Sequence, residues 1–476
     1  MANNRKRTKI VATLGPACNS LEIMENMMEA GVNVFRVNFS HADYADVEEK
    51  IKIIREINVR RGFHVAVLAD LQGPKLRVGV MGEGVFLNIG DTFTFTTVKC
   101  EGTQEKAFMT YKRFPKDVQV GEHILVDDGK LLFEVTATDR DSQVTTKVLR
   151  GGKLNSKKGV NLPNTKISLP ALTKKDIEDA LFAIKMEADW IALSFVRTAE
   201  DLIQLRDLIA ANSPHKIPII AKIEKPEAVA NIDKLTPYCD CLMVARGDLG
   251  VEVPMEEVPL IQKRLVLKAK KAHIPVIIAT QMMETMITNQ VPTRAEVNDV
   301  ANSIMDGADA VMLSGETSVG AFPLEVIKQM RRIIESVENS PLITIPNQAV
   351  ESVNERYITK VICHQAAILA DTISAQVITT LTDSGYTAFH ISSWRPKSNI
   401  LVFSSNRRIL AMLNLLWGVK GVFYDRFVST DETIEDINRM AHERGYIKAG
   451  DFAINITSMP VKERGMANTL RITQYK

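Results

Sequence analysis

The sequence predicts an α/β protein built on a parallel (β/α)8 barrel. A small antiparallel β-barrel domain is inserted into it, and a doubly wound α/β domain follows it. Three observations support this fold class. Eight short, apolar, β-branched runs recur along the first three quarters of the chain, helix-period stretches separate most of them, and one connection is replaced by about a hundred residues of alternating pattern. The length of 476 residues is sufficient for roughly three domains.

The eight apolar runs are continuous rather than alternating, which is typical of strands buried on both faces of a parallel sheet. We expect barrel strands at residues 9–13, 34–38, 65–70, 190–194, 217–222, 241–245, 275–280 and 310–314. Stretches with helical periodicity lie at residues 21–30, 44–57, 173–188, 201–211, 258–272 and 324–337.

Residues 71–169 interrupt this alternation after the third strand. They contain alternating apolar runs separated by Gly and Asp-Gly turns, which predicts a small antiparallel β domain. An insertion at that end of a barrel strand overhangs the active-site face, where it would act as a lid. The barrel itself then comprises residues 1–70 and 170–345. Residues 346–476 form the last domain, with a helix at 353–372 and strands at 377–381, 400–403, 419–424 and 451–457.

Composition excludes several classes of protein. Hydrophobic residues make up 45% and charged residues 24% of the chain, as in ordinary globular proteins rather than disordered ones. The net charge of +2 provides no overall attraction to nucleic acid or membranes, so we expect neither partner. Five cysteines are too few for a disulfide framework, and no signal-peptide or membrane-spanning run is evident. We expect a cytoplasmic protein whose anion sites are local clusters.

Polar residues follow the predicted barrel strands, where the catalytic groups of such barrels collect. The set comprises Arg36, Asn38, Ser40, Asp70, Lys75, Arg77, Ser194, Lys222, Glu224, Asp248, Thr280, Ser314 and Glu316. Any one of them alone is as readily explained as a turn residue. Together they indicate a site, because carboxylates on neighbouring strands, Glu224 and Asp248, suit Mg²⁺, and the cations suit phosphate or carboxylate groups.

Two segments add backbone and lid chemistry. In Ala-Arg-Gly-Asp-Leu-Gly at 245–250, Gly247 and Gly250 allow backbone N–H groups to approach a small anion, although a plain glycine turn is the alternative. Ser-Lys-Lys-Gly at 156–159 lies near the return from the insertion to the barrel. Its lysines are either a solvated surface feature or, under a lid, a contact for polyphosphate.

Long, ordered motifs distributed over nearly the whole chain resemble those of pyruvate kinase, of the bacterial, K⁺-independent type. They lie at residues 8–16, 33–41, 156–163, 221–224, 243–250, 278–282, 292–296 and 306–317. The resemblance implies the glycolytic transfer of a phosphoryl group from phosphoenolpyruvate to ADP, giving pyruvate and ATP, in a homotetramer. A metal-dependent barrel lyase or aldolase of pyruvate enolate chemistry and a non-catalytic relative are the alternatives.

The resemblance also implies residue roles. Glu224 and Asp248 should bind Mg²⁺ or Mn²⁺, Lys222 should contact the phosphoryl group in flight, and Arg36 should contact the transferring phosphate. The remaining implied sets are Ala245, Gly247, Asp248, Thr280 and Ser194 for the substrate, Arg36, Asn38, His41 and Lys157 for the nucleotide, and Lys75, Arg77, Thr280 and Ser314 for catalysis. Thr280, Ser314 or a water that they orient are the candidates for delivering the proton to the enolate.

One departure from the family pattern concerns the monovalent cation. Members that need K⁺ hold it with an Asn and a Ser after the second strand, an Asp, and the Thr that follows it. Asn38, Ser40 and Asp70 are present, but Leu71 replaces the Thr, and Lys75 stands where those members carry Glu. We predict a vestigial cation site and an enzyme that does not require K⁺, with Lys75 supplying the charge. The alternative is that Lys75 is a surface residue and the dependence is retained.

A loop in the last domain resembles the family's effector-phosphate loop. Its candidate residues are Thr382, Ser384, Gly385 and Thr387. Asp383 and Tyr386 depart from the usual basic pattern, whereas Lys462 and Arg464 in a later loop are able to meet a phosphate. A phosphorylated effector and a vestigial turn are therefore equal alternatives.

Overall fold

A closed eight-stranded parallel barrel forms the centre of the computed structural model, which describes residues 6–40, 42–340, 356–426, 429–458 and 466–476. This confirms the predicted barrel. Its strands are Lys9–Thr13, Val34–Asn38, Ala66–Asp70, Trp190–Leu193, Ile219–Ile223, Cys241–Ala245, Val276–Ala279 and Ala310–Leu313. All neighbouring pairs are parallel, and the last strand closes on the first.

Helices surround the barrel, and their starts follow from the local sequence. The long ones are Leu21–Ala30, Tyr44–Arg61, Lys174–Lys185, Ala199–Asn212, Val258–Ala272, Arg294–Asp306 and Pro323–Glu338. Thr173 and Thr293 each cap a helix in a reciprocal pair with the acidic residue three positions later, which satisfies otherwise unpaired backbone N–H groups. Short helices within the loops, which periodicity did not predict, lie at Pro226–Ala230, Ile232–Leu235, Arg246–Glu252 and Gly315–Ser318.

The barrel interior continues into the core of the last domain. Val11, Val34 and Leu68 point inward and belong to the same apolar cluster as residues of that domain. The indole N–H of Trp190 donates to the carbonyl oxygen of Met412 across the junction, at 3.0 Å. The last domain therefore closes the amino-terminal end of the barrel, and the carboxyl-terminal end is left for the functional site.

The inserted domain is a seven-stranded sheet in which all neighbours are antiparallel except one parallel pair. Its strands are Leu76–Arg77, Thr92–Thr96, Lys106–Phe108, His123–Val126, Leu131–Thr138, Gln143–Arg150 and Gly159–Asn161, with Phe86–Leu87 paired to Gly152–Lys153 beside them and a short helix at Phe114–Asp117. The two edge strands meet, because Gly79 N donates to Phe108 O (2.8 Å) and Thr110 N to Arg77 O (3.0 Å). These bonds close the sheet into the predicted small barrel.

The last domain contains a five-stranded sheet whose strand order reverses after its first strand, as in doubly wound folds. Its strands are Val377–Leu381, Asn399–Ser404, Val419–Phe423, Phe452–Thr457 and Thr469–Gln474, and its helices are Tyr357–Thr372, Tyr386–Ser393, Arg407–Leu413 and Thr430–Glu443. The sequence prediction missed the antiparallel edge strand Thr469–Gln474. Its residues are mostly solvent-accessible, so they give no apolar run.

Two further findings bear on the sequence predictions. All five cysteines are free. No helix in the described segments is long and apolar enough to cross a membrane. The predicted domain boundaries near residues 70 and 169 stay predictions, and the boundary near 345 lies outside the described residues, as do positions 353–355 of the predicted helix.

Candidate active site

A buried ion-pair network occupies the carboxyl end of the barrel. Lys222, near the end of the fifth strand, lies 2.9 Å from Glu224 Oε1 and 3.3 Å from Asp70 Oδ1. Its ammonium also donates to the hydroxyl of Ser194 at 2.7 Å. Arg36 completes the network, because its Nε lies 2.6 Å from Asp70 Oδ2. The structure thus brings together predicted residues from four barrel strands around one lysine.

The pKa values in this network reflect its charges. Burial alone would lower the pKa of Lys222, but Asp70 and Glu224 outweigh burial and raise it above the ordinary lysine value. Burial would raise the pKa of Asp70, yet Lys222 and Arg36 lower it below the ordinary range. Both residues are therefore charged at neutral pH, and the site contains a fixed cation before any substrate arrives.

Glu224 and Asp248 form a donor set suited to a divalent metal. Burial, followed by the negative charge of Asp248, raises the pKa of Glu224 against the opposing effect of Lys222. The Asp248 carboxylate has no hydrogen-bond or ion-pair partner within the described ranges. A hard divalent cation would relieve the repulsion between these two carboxylates. In the same residues, no cluster of three or more His, Cys, Asp or Glu side chains is placed to hold a metal. Glu224 and Asp248 are therefore two candidate carboxylate ligands for a metal.

The Gly247 backbone and the Thr280 hydroxyl meet between the sixth and seventh strands. Gly247 N donates to Thr280 Oγ1 at 2.7 Å, and a Cβ on Gly247 would lie only 3.3 Å from that oxygen. Thr280 has a positive φ of 72°, which is uncommon for a β-branched residue and indicates local backbone strain. Sequence reasoning selected both residues, but not their mutual bond.

Sequence reasoning missed the clamp that supports this pair. Arg246 binds both carboxylate oxygens of Asp299, at 2.6 and 2.7 Å, and donates to the carbonyl oxygen of Thr280 at 2.8 Å. This fork geometry is the strong, bidentate form of an arginine–carboxylate pair. Arg246 lies within the motif at 245–250, so its charge was the available signal.

Lys75 borders the cleft between the lid and the barrel. Its ammonium is exposed and has no hydrogen-bond or ion-pair partner among the residues that the structure describes. It lines a cavity of about 30 Å³ together with Asp248, Lys225, Glu252 and Asn161. Lys75 therefore faces the same cleft as one of the two metal-binding candidates.

The lid lysine and Arg77 lie together at the base of the insertion. Lys157 has a positive φ of 60° and an exposed side chain, and its carbonyl oxygen accepts a hydrogen bond from Arg77 Nη1 at 3.0 Å. The guanidinium of Arg77 thus supports the turn that carries Lys157. Lys158, the second lysine, is bound to Asp127 of the lid at 2.9 Å.

The predicted monovalent-cation site has no side-chain oxygen at Leu71 and has two cationic side chains bound to Asp70. Leu71 is buried, and Asp70 is bound to Arg36 and Lys222. Asn38 Oδ1 accepts a hydrogen bond from Ser40 N at 3.2 Å. The candidate His41 lies outside the described residues, as do Lys462 and Arg464.

The loop after the eighth strand is organised by Glu316. Its carboxylate accepts hydrogen bonds from Ser314 N at 2.7 Å and from Met283 N at 3.1 Å, and burial raises its pKa. Glu316 therefore connects two loops. Ser314 directly precedes the short helix Gly315–Ser318, at its N-cap position.

The candidate effector loop makes its own hydrogen bonds. Thr382 Oγ1 accepts from Gly385 N at 2.8 Å, and Ser384 Oγ accepts from Tyr386 N at 3.5 Å. Gly385 has a φ of 83°, and Thr387 is buried. The hydroxyls at positions 382 and 384 thus face the loop's own N–H groups.

Family models and known proteins match this chain over nearly its whole length. The family model described as the pyruvate kinase barrel domain matches residues 5–327, and the model for the pyruvate kinase alpha/beta domain matches residues 360–473. The chain is 42% identical over 474 residues to pyruvate kinase of Geobacillus stearothermophilus, covering 98% of this chain and 80% of the relative. It is 39% identical to pyruvate kinase of Mycobacterium tuberculosis, covering 98% of both chains.

A crystal structure of a pyruvate kinase from Cryptosporidium parvum superimposes with a TM-score of 0.92 and 33% sequence identity, covering 100% of this chain and 98% of the other. Similarity of this extent includes the barrel, the insertion and the last domain together. The chain therefore belongs to the pyruvate kinase family and is a phosphotransferase.

Proposed function

We propose that this chain transfers the phosphoryl group of phosphoenolpyruvate to ADP at the carboxyl end of the barrel, with Mg²⁺ or Mn²⁺. The observation that carries the proposal is Lys222, a buried ammonium placed between Asp70 and Glu224. Phosphoryl transfer spreads negative charge over the phosphoryl oxygens, so a cation that is already in place stabilises the transition state without reorganisation. A lyase or aldolase would share the metal carboxylates but has no use for the lid lysine, Lys157.

Each group then has a defined task. Lys222 and Arg36 contact the transferring phosphoryl group, and Glu224 and Asp248 would hold the metal, which when bound stabilises developing charge as a Lewis acid. The backbone at Ala245, Gly247 and Asp248 holds the substrate carboxylate with Thr280 and Ser194. In that complex the Gly247 N–H exchanges its bond to Thr280 for one to the substrate. Thr280, Ser314 or a water that they orient delivers the proton to the enolate carbon, and Asn38, His41 and Lys157 are assigned to nucleotide binding.

The metal ligands can be tested without measuring turnover. Glu224→Gln and Asp248→Asn should each weaken Mn²⁺ binding by about tenfold or more in calorimetric titrations, because each removes a hard anionic ligand. Glu256→Gln is the matched control, because Glu256 is exposed and lies after helix Arg246–Glu252, which carries Asp248. Wild-type Mn²⁺ affinity in both site variants would remove the metal assignment.

We propose further that catalysis does not require K⁺. The proposal is supported by Leu71, whose side chain offers no oxygen to a cation and whose carbonyl oxygen accepts a hydrogen bond from Ser194 Oγ, and by the ion pairs of Asp70 with Arg36 and Lys222. Lys75, exposed in the cleft beside Asp248, supplies positive charge in place of the ion.

The double variant Leu71→Thr/Lys75→Glu should convert the enzyme to K⁺ dependence. Its rate in K⁺-free buffer should fall at least tenfold and recover when K⁺ is added, since a new carboxylate without its cation repels the substrate. Lys153→Glu, at an exposed lid position, should leave the rate unchanged both without K⁺ and with K⁺. A double variant that is active without K⁺ would refute the role of Lys75.

We also propose self-association into a homotetramer. Leu260 and Leu267 lie seven residues apart on one face of helix Val258–Ala272 and are 69% and 53% exposed. The edge strand Thr469–Gln474 offers a second surface, with Ile472 exposed. Light scattering should give four times the chain mass. Leu260→Glu/Leu267→Glu should give a smaller species, whereas Val98→Glu, at an exposed lid position, should not.

For a phosphorylated effector at Thr382, Ser384, Gly385 and Thr387, the bonds within the loop favour the alternative of a closed turn. We expect no heat and no change in substrate saturation when fructose 1,6-bisphosphate or a nucleoside monophosphate is titrated. Binding that is lost in Thr382→Val would instead establish an effector site in this loop.

A further inference from the structure

One buried carboxylate joins the lid to two segments of the barrel. Glu252 ends helix Arg246–Glu252, and its side chain is fully buried. Its Oε1 atom accepts a hydrogen bond from Lys225 Nζ at 2.7 Å and another from Asn161 Nδ2 at 2.8 Å. Three segments that are distant in the chain therefore meet at a single oxygen atom.

Each of these segments also carries a residue of the proposed site. Lys225 directly follows Glu224, and Asp248 lies about one helical turn before Glu252 on the same helix. Asn161 belongs to lid strand Gly159–Asn161, which follows the turn that carries Lys157. A shift at Glu252 would therefore be transmitted to both metal-binding candidates and to the lid.

Burying the charges of this junction costs more free energy than a purely structural contact would require. Glu252 and Lys225 are both buried, and Glu252 Oε2 is buried with no hydrogen-bond partner among the residues that the structure describes. Such a carboxylate is retained only where its other contacts hold it firmly, and an apolar side chain would fill the space at lower cost. The junction borders the cleft cavity that Asp248 and Lys75 also line.

We propose that Glu252 is a positioning residue that couples the lid to the metal carboxylates. Its bond to Lys225 sets the spacing between the Glu224 and Asp248 segments, and its bond to Asn161 anchors the lid strand to that spacing. This inference rests on the proposed roles of Glu224, Asp248 and Lys157.

The two bonds can be separated by mutation. Asn161→Ala should raise the KM for ADP about tenfold and leave Mn²⁺ affinity without nucleotide within twofold, because it releases only the lid. Glu252→Gln should weaken Mn²⁺ affinity and also raise the KM for ADP, because both bonds change. Asn88→Ala, at an exposed lid asparagine, should leave both quantities unchanged.

A merely structural contact predicts a different result, in which both variants lower the melting temperature and kcat together and leave KM and metal affinity at wild-type values. That result would overturn the proposal. If Glu252→Gln fails to fold, Lys225→Met/Glu252→Gln leaves no unpaired buried charge and should show the same weakened Mn²⁺ binding. Wild-type affinity in the double variant would also overturn it. Glu224→Gln separates failure of the metal assignment from failure of the role of Glu252. If Glu224→Gln retains Mn²⁺, the metal assignment itself has failed.

Discussion

The two ends of the barrel bury lysines under opposite electrostatic conditions. At the carboxyl end, Asp70 and Glu224 outweigh burial and raise the pKa of Lys222. At the amino end, burial lowers the pKa of Lys6 to about 7 and the pKa of Lys9 well below its ordinary value. Lys9 donates to the carbonyl oxygen of Val419 and Lys6 to that of Thr8, which are acceptors without a full charge.

This difference shows how the surroundings of a buried lysine decide its protonation state at each end of the barrel. At the interface between the barrel and the last domain, burial outweighs the partners of Lys6 and Lys9, so each lysine tends to lose its proton. The proposed phosphoryl transfer would need the charge itself, and at the carboxyl end Asp70 and Glu224 favour the protonated form of Lys222. The permanently charged lysine, rather than burial of a lysine as such, distinguishes the functional end.

The largest expected effect comes from removing that charge. Lys222→Met should lower kcat by about a thousandfold or more, because it removes the cation that we propose contacts the transferring phosphoryl group. Lys216→Met, at a surface lysine paired with Asp240, is the control and should keep full activity. Steady-state rates with circular dichroism of both variants check this, and near-normal turnover by folded Lys222→Met would contradict the assignment.

The second prediction removes a carboxylate from Lys222, so that the carboxyl end of the barrel resembles the amino end. Asp70→Asn should reduce kcat about a hundredfold and destabilise the fold by about 3 kcal/mol, because it leaves Arg36 and Lys222 with less compensating charge. Urea unfolding and steady-state kinetics measure the two effects. Unchanged stability and rate would show that Asp70 does not maintain the lysine charge.

Acidification should weaken metal binding at a higher pH than an ordinary glutamate would predict. The pKa of Glu224 is raised, so its proton competes with the metal at pH values above the ordinary glutamate range. In the metal-free protein, the same shift makes stability fall as pH rises from the unfolded to the folded pKa. Mn²⁺ titrations between about pH 5 and 8 should show affinity decreasing several-fold at the acidic end, and a flat profile would contradict the shift.

The last prediction concerns the pH dependence of stability at the amino end of the barrel, where we expect the smallest effect on activity. The folded pKa of Lys6, about 7, lies below its unfolded value of 10.5, so the unfolded state binds more protons between these values and stability rises with pH across that window. Lys6→Met should flatten this rise in urea unfolding measured between about pH 7 and 10. An identical slope in wild type and variant would assign the rise to other groups.

Strand positions in the barrel were predictable because the strands are mostly apolar on both faces, and polar residues lie at or just after their ends. Strand Thr469–Gln474 was not, because an edge strand is held by backbone pairing with Phe452–Thr457 rather than by a buried run of side chains. Helix Arg246–Glu252 was missed for a similar reason, since seven residues in a loop show too little periodicity.

The residues of the site were selected from strand ends and family motifs, but their pairing was not. Asp70 was expected at the strand ends and as part of a vestigial cation site, but its ion pairs with Arg36 and Lys222 were not predicted. Residues so far apart in the chain meet only because the barrel brings its strand ends together. The Arg246–Asp299 clamp and the three-way junction at Glu252 likewise depend on packing between helices and the lid.

The most direct test of the account is the initial rate of pyruvate formation by the wild-type protein from phosphoenolpyruvate, ADP and Mg²⁺. It should be measured in tetramethylammonium buffer free of K⁺, Na⁺ and NH₄⁺, and again with about 100 mM K⁺ at constant ionic strength. If Lys222 and Lys75 supply the fixed charge, as we propose, turnover should be rapid in both buffers. Turnover only after K⁺ addition would contradict this proposal.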